Sequence, residues 1–251
     1  MEIPNFYVLE ETVRSCDIGP DYKIKMRPLL HCLQEAAVGH SRQARDEFPE
    51  QLRRGSVWVL TRLRLRMDRF PRWEETIRIE TWSAAIESLY AVRDFRIEDE
   101  SGVCGAATTQ WILIDVCKRR PIRIPPDLGK GYGRRSERAL ADAFDPLPCF
   151  HEPQFSHPFS VQRSDLDSLN HVNNAFYADW CLDAVPNSRV EGLQLMEFEA
   201  AYKKEAVYGD ILNSQVAEEP DVNGEAVFLH RLARRSTEDI VVEARSRWRR
   251  L

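Results

Sequence analysis

Residues 57–67 read VWVLTRLRLRM, and their alternation sets the fold class. Leu63, Leu65 and Met67 alternate with Arg62, Arg64 and Arg66. A period of two puts the apolar set on one face of a strand and the arginines on the other. Upstream the period is different. Leu29, Leu30, Leu33, Ala36, Ala37 and Ala44 recur at helical spacing within residues 28–44, and Pro28 suits a first helical turn. Downstream, FPRWEE reads as a turn, and TIRIETW, LYAVRDFRIED and CGAATTQWILID read as three more strands. IEDESG is a hairpin turn in which Gly102 supplies backbone freedom. The order is one helix followed by a meander of strands.

That order then recurs. Residues 125–156 are rich in Pro and Gly and read as a linking region around a short helix near SERALADAF. Beyond it, FSVQR is a strand and HVNNAFYADWCLDAVP a helix, with Val172, Phe176, Trp180 and Ala184 at i, i+4 spacing and Pro186 at its stop. LQLMEFEAAYKKE, DILNSQVAEE, EAVFLHRLARRS and DIVVEARSRWRR follow as strands. In the last, Val242, Ala244, Ser246 and Trp248 share one face. Trp111 and Trp248 fall in equivalent last strands, 137 residues apart, and the same shift places His171 on Gln34. The expectation is an α+β protein built from two copies of a helix on an antiparallel sheet. The boundaries expected are 1–135, a linker at 136–156, and 157–251.

Composition narrows the function. With 251 residues, 43 % of them hydrophobic, the chain can bury one large core or two ordinary ones. A net charge of -5 gives no global basic field for nucleic acid. Six cysteines without a CxxC argue against a zinc site or disulfide framework and for reduced thiols in a cytoplasm. The first residues, MEIPNFYVLEETVRS, show no apolar signal region, and no apolar run is long enough to span a membrane.

The densest polar cluster is SDLDSLNHVNNAFYADWCLDAVP, beginning at Ser164. Read from residues alone, Asp165 or Asp167 could simply cap a helix. His171 could be a structural histidine, and Asn173 and Asn174 could satisfy backbone groups at a helix start. Glu205, after Lys203 and Lys204, could be a surface ion-pair residue. Trp58, Trp111, Trp180 and Trp248 read as core. The cluster resembles the signature of the acyl-acyl carrier protein thioesterases, close to DxDxNxHVNNxxYxxW. FEAAYKKEAVYGD resembles a second segment of that family, FxxxYxxE, and WVLTRLRLRMDRFPRWEETIRIETW, VRDFRIEDESG and TTQWILIDVCKRRPIRIP resemble its first-half strands. The likeness spans roughly residues 5 to 250.

The resemblance implies two tandem hotdog domains, each a long helix packed against a curved antiparallel sheet. It implies hydrolysis of fatty acyl-acyl carrier protein, with Asp167, His171 and Glu205 at the catalytic positions. Such chemistry needs a base for the attacking water and donors for the developing oxyanion. Glu205 or His171 would activate the water, Asp167 would hold local geometry, and the helix start near Asn173 and Asn174 would meet the oxyanion. No cofactor and no metal are implied. The acyl chain is expected in the N-terminal domain, with Leu33, Ala37, Trp58, Leu60 and Leu89 as candidate lining. The acidic carrier protein is expected on Lys118, Arg119, Arg120 and Arg123, with Arg134 and Arg135 as second choice.

Two departures from the family pattern stand out. Many plant members carry a cysteine directly after the glutamate; here it is Ala206. Cys181 lies elsewhere, so attack by water is preferred to a cysteine nucleophile. The family asparagine two residues after the second aspartate is Leu169 here, with Asn170 beside it, and Asn170 is the candidate substitute. Rival readings are an acyl-coenzyme A thioesterase, a dehydratase or hydratase on the same fold, and a non-catalytic acyl-thioester-binding protein. A monomer and a homodimer both remain open.

Overall fold

The fold comes from a computed structural model that describes residues 5–141, 144–220 and 224–250. The chain divides into two compact units, Met1–Ala143 and Phe144–Leu251.

The first unit runs β1 (Phe6–Thr12), α1 (Met26–Gln43), α2 (Phe48–Arg54), β2 (Ser56–Met67), β3 (Thr76–Ile86), β4 (Ala91–Asp99), β5 (Gly102–Asp115), β6 (Arg120–Ile122) and α3 (Pro126–Gly131). Its strands order as β1-β3-β4-β5-β2, every neighbour antiparallel, and β6 pairs with the end of β5. The alternation read at residues 63–67 is real in three dimensions: Leu63, Leu65 and Met67 are buried and the arginines between them are not. Leu29, Leu33, Ala36 and Ala37 of α1 are buried, as are Ile77, Ile79, Phe95 and Ile97 of the sheet. Register shifts at Leu60/Arg62, Ser83/Ala85 and Ile97/Glu98 bend the ladders, as bulges do. Gly39 lets α1 lie against β1, because a Cβ there would fall 2.3 Å from the Tyr7 ring.

The second unit runs β7 (Phe155–Ser160), a 3-10 turn (Arg163–Asp165), α4 (Asn174–Asp183), α5 (Asn187–Val190), β8 (Gln194–Tyr202), β9 (Ile211–Glu218), β10 (Glu225–Arg234) and β11 (Ile240–Arg249). The strand order is β8-β11-β10-β9-β7, again antiparallel. The inner face of α4, with Ala175, Tyr177, Ala178 and Cys181, is buried, and α4 contacts β9, β10 and β11.

Several elements differ from the sequence reading. β1, α2 and β6 are additional. The helix expected near SERALADAF is absent over residues 136–141; residues 142 and 143 lie outside the described residues. The helix of this region is α3, ten residues earlier. The 135–139 stretch instead packs against the sheet without regular structure, where buried polar groups claim its backbone and charges. Asp94, fully buried, accepts from Arg138 Nε and the Ala139 N–H, both at 2.8 Å, and from Thr108 Oγ1 at 2.7 Å. Trp82 Nε1 donates to the Glu137 carbonyl at 2.8 Å, and the Arg135 guanidinium stacks 4.4 Å from the Trp82 ring centroid. Alanine-rich helix propensity is worth only a few tenths of a kcal/mol per residue, so these contacts prevail.

Candidate active site

The polar cluster runs through a tight turn into the start of α4. Val172 and His171 precede α4, and Asn173 is the cap: its Oδ1 accepts the Ala175 N–H at 3.0 Å. The alternative in which Asp165 or Asp167 caps this helix is therefore wrong. Asp165 instead closes the preceding 3-10 turn, its Oδ2 accepting the Gln162 N–H at 2.7 Å. Its carbonyl accepts the Asn173 N–H at 2.8 Å.

Between these points the chain makes a tight hairpin. Leu166 bridges Val172, the Asp167 N–H donates to the His171 carbonyl at 2.8 Å, and the Asn170 N–H donates to the Asp167 carbonyl at 3.1 Å. Asn170 has φ 60, a left-handed conformation that asparagine tolerates well. Asn170 thus has a backbone reason to be asparagine. Asp167 Oδ1 accepts the N–H groups of Leu169 at 2.8 Å and His171 at 3.3 Å. An aspartate bonding its own backbone two residues on is the ordinary way to stiffen such a turn. Leu169 contributes its N–H to that arrangement, and its side chain is half-buried.

This turn points His171 at Glu205. His171 Nε2 lies 3.1 Å from Glu205 Oε2, with the two side chains 24 % and 43 % exposed, so the pair is open to solvent. Glu205 follows β8 on a loop, and the loop is bolted to the hairpin at Ala206. Ala206 accepts the Val172 N–H at 2.9 Å and donates its own N–H to Tyr177 Oη at 3.1 Å. Ala206 is fully buried, so its side chain faces away from solvent. Burial pushes the Cys181 thiol well above its ordinary range, which disfavours a thiolate there. Burial, with the Asp167 and Glu205 charges adding to it, also raises the Tyr177 phenol. The arrangement can pass a proton between a histidine and a carboxylate beside a helix start, which is what attack by water requires. Among the described residues no group of three or more His, Cys, Asp or Glu side chains could hold a metal ion.

The description "Acyl-ACP thioesterase N-terminal domain" matches residues 5–132, and "Acyl-ACP thioesterase C-terminal domain" matches residues 151–250. The chain belongs to the acyl-ACP thioesterase family. A chloroplastic palmitoyl-acyl carrier protein thioesterase of Gossypium hirsutum is 27 % identical over 257 residues, covering 95 % of this chain and 62 % of that one. A chloroplastic dodecanoyl-[acyl-carrier-protein] hydrolase of Cinnamomum camphora is 25 % identical, covering 94 % and 66 %. The chain spans about three-fifths of the length of curated relatives it matches. A putative oleoyl thioesterase of Lactobacillus plantarum superposes with a TM-score of 0.90 at 22 % identity, covering 98 % of this chain and 96 % of that one. The 12:0-ACP thioesterase of Umbellularia californica gives 0.87 at 23 %, covering 97 % and 94 %. These likenesses show that this family member has the fold of those structures, a hotdog-type arrangement of antiparallel sheet with few helices.

The remaining candidates of this acyl-ACP thioesterase family member fall in the first unit. Leu33 and Ala37 on α1 and Leu60 on β2 are buried. Trp58 is half-buried, with its Nε1 committed to Asp46 Oδ2 at 2.7 Å. Leu89 is 52 % exposed in the turn between β3 and β4, apart from these helix and strand positions. Lys118 and Arg119 occupy the exposed turn after β5, Arg120 is on β6, and Arg123 follows it, all exposed. Arg135, the second-choice docking residue with Arg134, is ion-paired with Glu80 at 2.8 Å and stacked on Trp82. Sequence reasoning passed over Tyr177, although it stands in the quoted motif; its signal was a tyrosine one helical turn past Asn173.

Proposed function

We propose that this chain hydrolyses the thioester of fatty acyl-acyl carrier protein, releasing a free fatty acid. The observation that carries this reading is the His171–Glu205 pair at 3.1 Å, held at the start of α4 in a chain that matches both domains of the family. Water attacks the thioester carbonyl while Glu205 or His171 takes its proton. The helix start, with its positive dipole end and Asn174 as its first residue, is the candidate donor for the oxyanion. Collapse expels the carrier's thiolate, which recovers the proton from the same pair. Asp167 acts through the hairpin, and Asn173 caps the helix.

In this reading the two units are tandem hotdog domains, and the linker expected at 136–156 is shorter, because residues 137–139 bind Trp82 and Asp94 and β7 begins at Phe155. The first holds the acyl chain through Leu33, Ala37, Trp58 and Leu60, and the carrier docks on Lys118, Arg119, Arg120 and Arg123. No cofactor enters the scheme. The compartment must be one that contains acyl carrier protein, the cytoplasm on the sequence reading; no helix among the described residues is long and apolar enough to cross a membrane. Leu169, where the family pattern has asparagine, supports one second reading, a protein that binds acyl thioesters without cleaving them.

The deciding experiment is thiol release from a panel of acyl-acyl carrier proteins, run beside the matching acyl-coenzyme A esters. Release by wild type, lost in Glu205→Ala and His171→Ala, is expected. Folded protein that binds every chain length and releases none would replace hydrolysis by binding. Faster release from the coenzyme A esters would reassign the carrier.

A further inference from the structure

Glu205 lies on residues 203–210, a connection between β8 and β9 without regular structure. A carboxylate on such a loop is placed only as well as the backbone beneath it. A side chain from β10 grips that backbone at Glu205 itself. Arg234, the last residue of β10, donates Nη2 to the Glu205 carbonyl at 2.7 Å. Its Nε donates to Asp210 Oδ2 at 3.1 Å, and its Nη1 reaches Asp239 Oδ2 at 3.4 Å. The carboxylates it binds hold the loop in turn. Asp210 Oδ2 accepts the Val207 N–H at 3.0 Å, and Asp239 Oδ1 pairs with Lys204 Nζ at 2.5 Å.

Four loop positions, 204, 205, 207 and 210, are thus tied directly or through one carboxylate to a single guanidinium. That side chain is 18 % exposed. A planar fork carries its donors on three separate nitrogens in fixed directions and so sets three spaced acceptors; an ammonium has three donors on one atom and no such geometry. Ala206, bonded to Val172 and Tyr177, fixes the loop on the opposite side of Glu205.

We infer that Arg234 is a positioning residue for Glu205, setting the approach of its carboxylate to His171. The inference rests on the hydrolytic reading of that pair for its kinetic consequence, but not for its structural one. Arg234→Met is expected to lower kcat about 10²-fold, the scale of a misplacement near 1 Å, with KM within about twofold. Arg234→Lys, which keeps the charge and loses the fork, is expected to recover about tenfold of that loss.

The test adds a readout that does not need turnover: the 15N shifts of the His171 ring nitrogens at one fixed pH. In Arg234→Met they should move to the values of Glu205→Ala, with the rest of the spectrum unchanged. A ring signal identical to wild type overturns the inference, whatever the rates. Should Arg234→Met not fold, Asp210→Asn weakens the same clamp from its other end. It must shift the ring signal in the same direction, and no shift there also overturns the inference. An inactive wild type whose ring signal still depends on Arg234 would defeat the hydrolytic reading and leave the positioning role standing.

Discussion

Asp167 offers the sharpest separation of a positioning role from a chemical one. Its Oδ1 accepts two backbone N–H groups, from Leu169 at 2.8 Å and His171 at 3.3 Å, in an exposed turn. The second bond is long, and exposure weakens both, so the pair together contributes about 1 kcal/mol of stability. Asp167→Ala should therefore lower the unfolding free energy by only about 1 kcal/mol, and the backbone bond from the Asp167 N–H to the His171 carbonyl remains. The rate should suffer more. Losing 1.4 kcal/mol at the transition state is already about tenfold, and a residual displacement of the histidine adds to that. A fall in kcat of about ten- to a hundredfold is expected, with little change in KM. Asp167→Asn keeps an oxygen in the same place to accept the same N–H groups, so its kcat should stay within about threefold of wild type. Steady-state thiol release from one acyl-acyl carrier protein, paired with urea unfolding of each variant, measures both quantities. If Asp167→Asn is as slow as Asp167→Ala, the negative charge takes part in the reaction and the positioning argument fails.

Two further predictions concern stability. Burial holds His40 and His230 neutral, pushing both rings down to about 3, with the Arg93 charge adding to the effect at His40. An unfolded histidine takes up its proton near pH 6.5, so between those values the unfolded chain binds more protons. Their contribution is complete above pH 6.5 and declines as pH falls towards 3, each ring adding a slope of up to about 1.4 kcal/mol per pH unit. Urea unfolding at pH 7, 6 and 5 should show the decline, and a flat profile would contradict the burial of neutral rings. Asp94→Ala strands Arg138, the Ala139 N–H and the buried Thr108 hydroxyl; because Arg138 is partly exposed, about 3 kcal/mol is the expected loss. Limited proteolysis should then cut within residues 134–141, and an unchanged cleavage pattern would deny that Asp94 holds this stretch.

What the sequence made legible follows the physics of each element. Strand β2 was readable because its two faces differ, Leu63, Leu65 and Met67 against the arginines. β1 was not, because FYVLEET is an edge strand with no buried face of its own. Its place is set by pairing with β3 and by Tyr7 meeting Gly39, and neither contact leaves a local pattern. The stretch SERALADAF favours a helix locally, yet Asp94 and Trp82, more than forty residues earlier, decide its conformation. The same limit applied at the candidate site. His171 and Glu205 could be matched through two spaced motifs, whereas Arg234 in LARRS looks like any strand-end arginine until the fold brings it under Glu205.

The two units differ at the stretch that forms the candidate site. The 137-residue shift that relates Trp111 to Trp248 also relates Thr109 to Ser246 and Arg93 to His230. The matched residues make matched contacts: Trp111 Nε1 donates to Thr109 Oγ1 at 2.8 Å and Trp248 Nε1 to Ser246 Oγ at 3.0 Å. At the third pair each unit buries a polar group in its core, with Arg93 bonded to His40 Nδ1 and His230 Nε2 to Ser246 Oγ, both at 2.8 Å. The sheets are thus in register over the repeat. The helices are not: α1 has 18 residues and α4 has 10. By the same shift, residues 26–36 of α1 correspond to 163–173, the stretch that forms the 3-10 turn, the Asp167 hairpin, His171 and the Asn173 cap. Where the first unit continues its helix, with Leu29, Leu30 and Leu33 turned to the core, the second unwinds into the turn that presents His171 to Glu205. A helix in that position would bury its inner face and present no such turn, so filling the core and presenting an acid–histidine pair are alternative uses of one stretch of chain. Each unit has taken one of them.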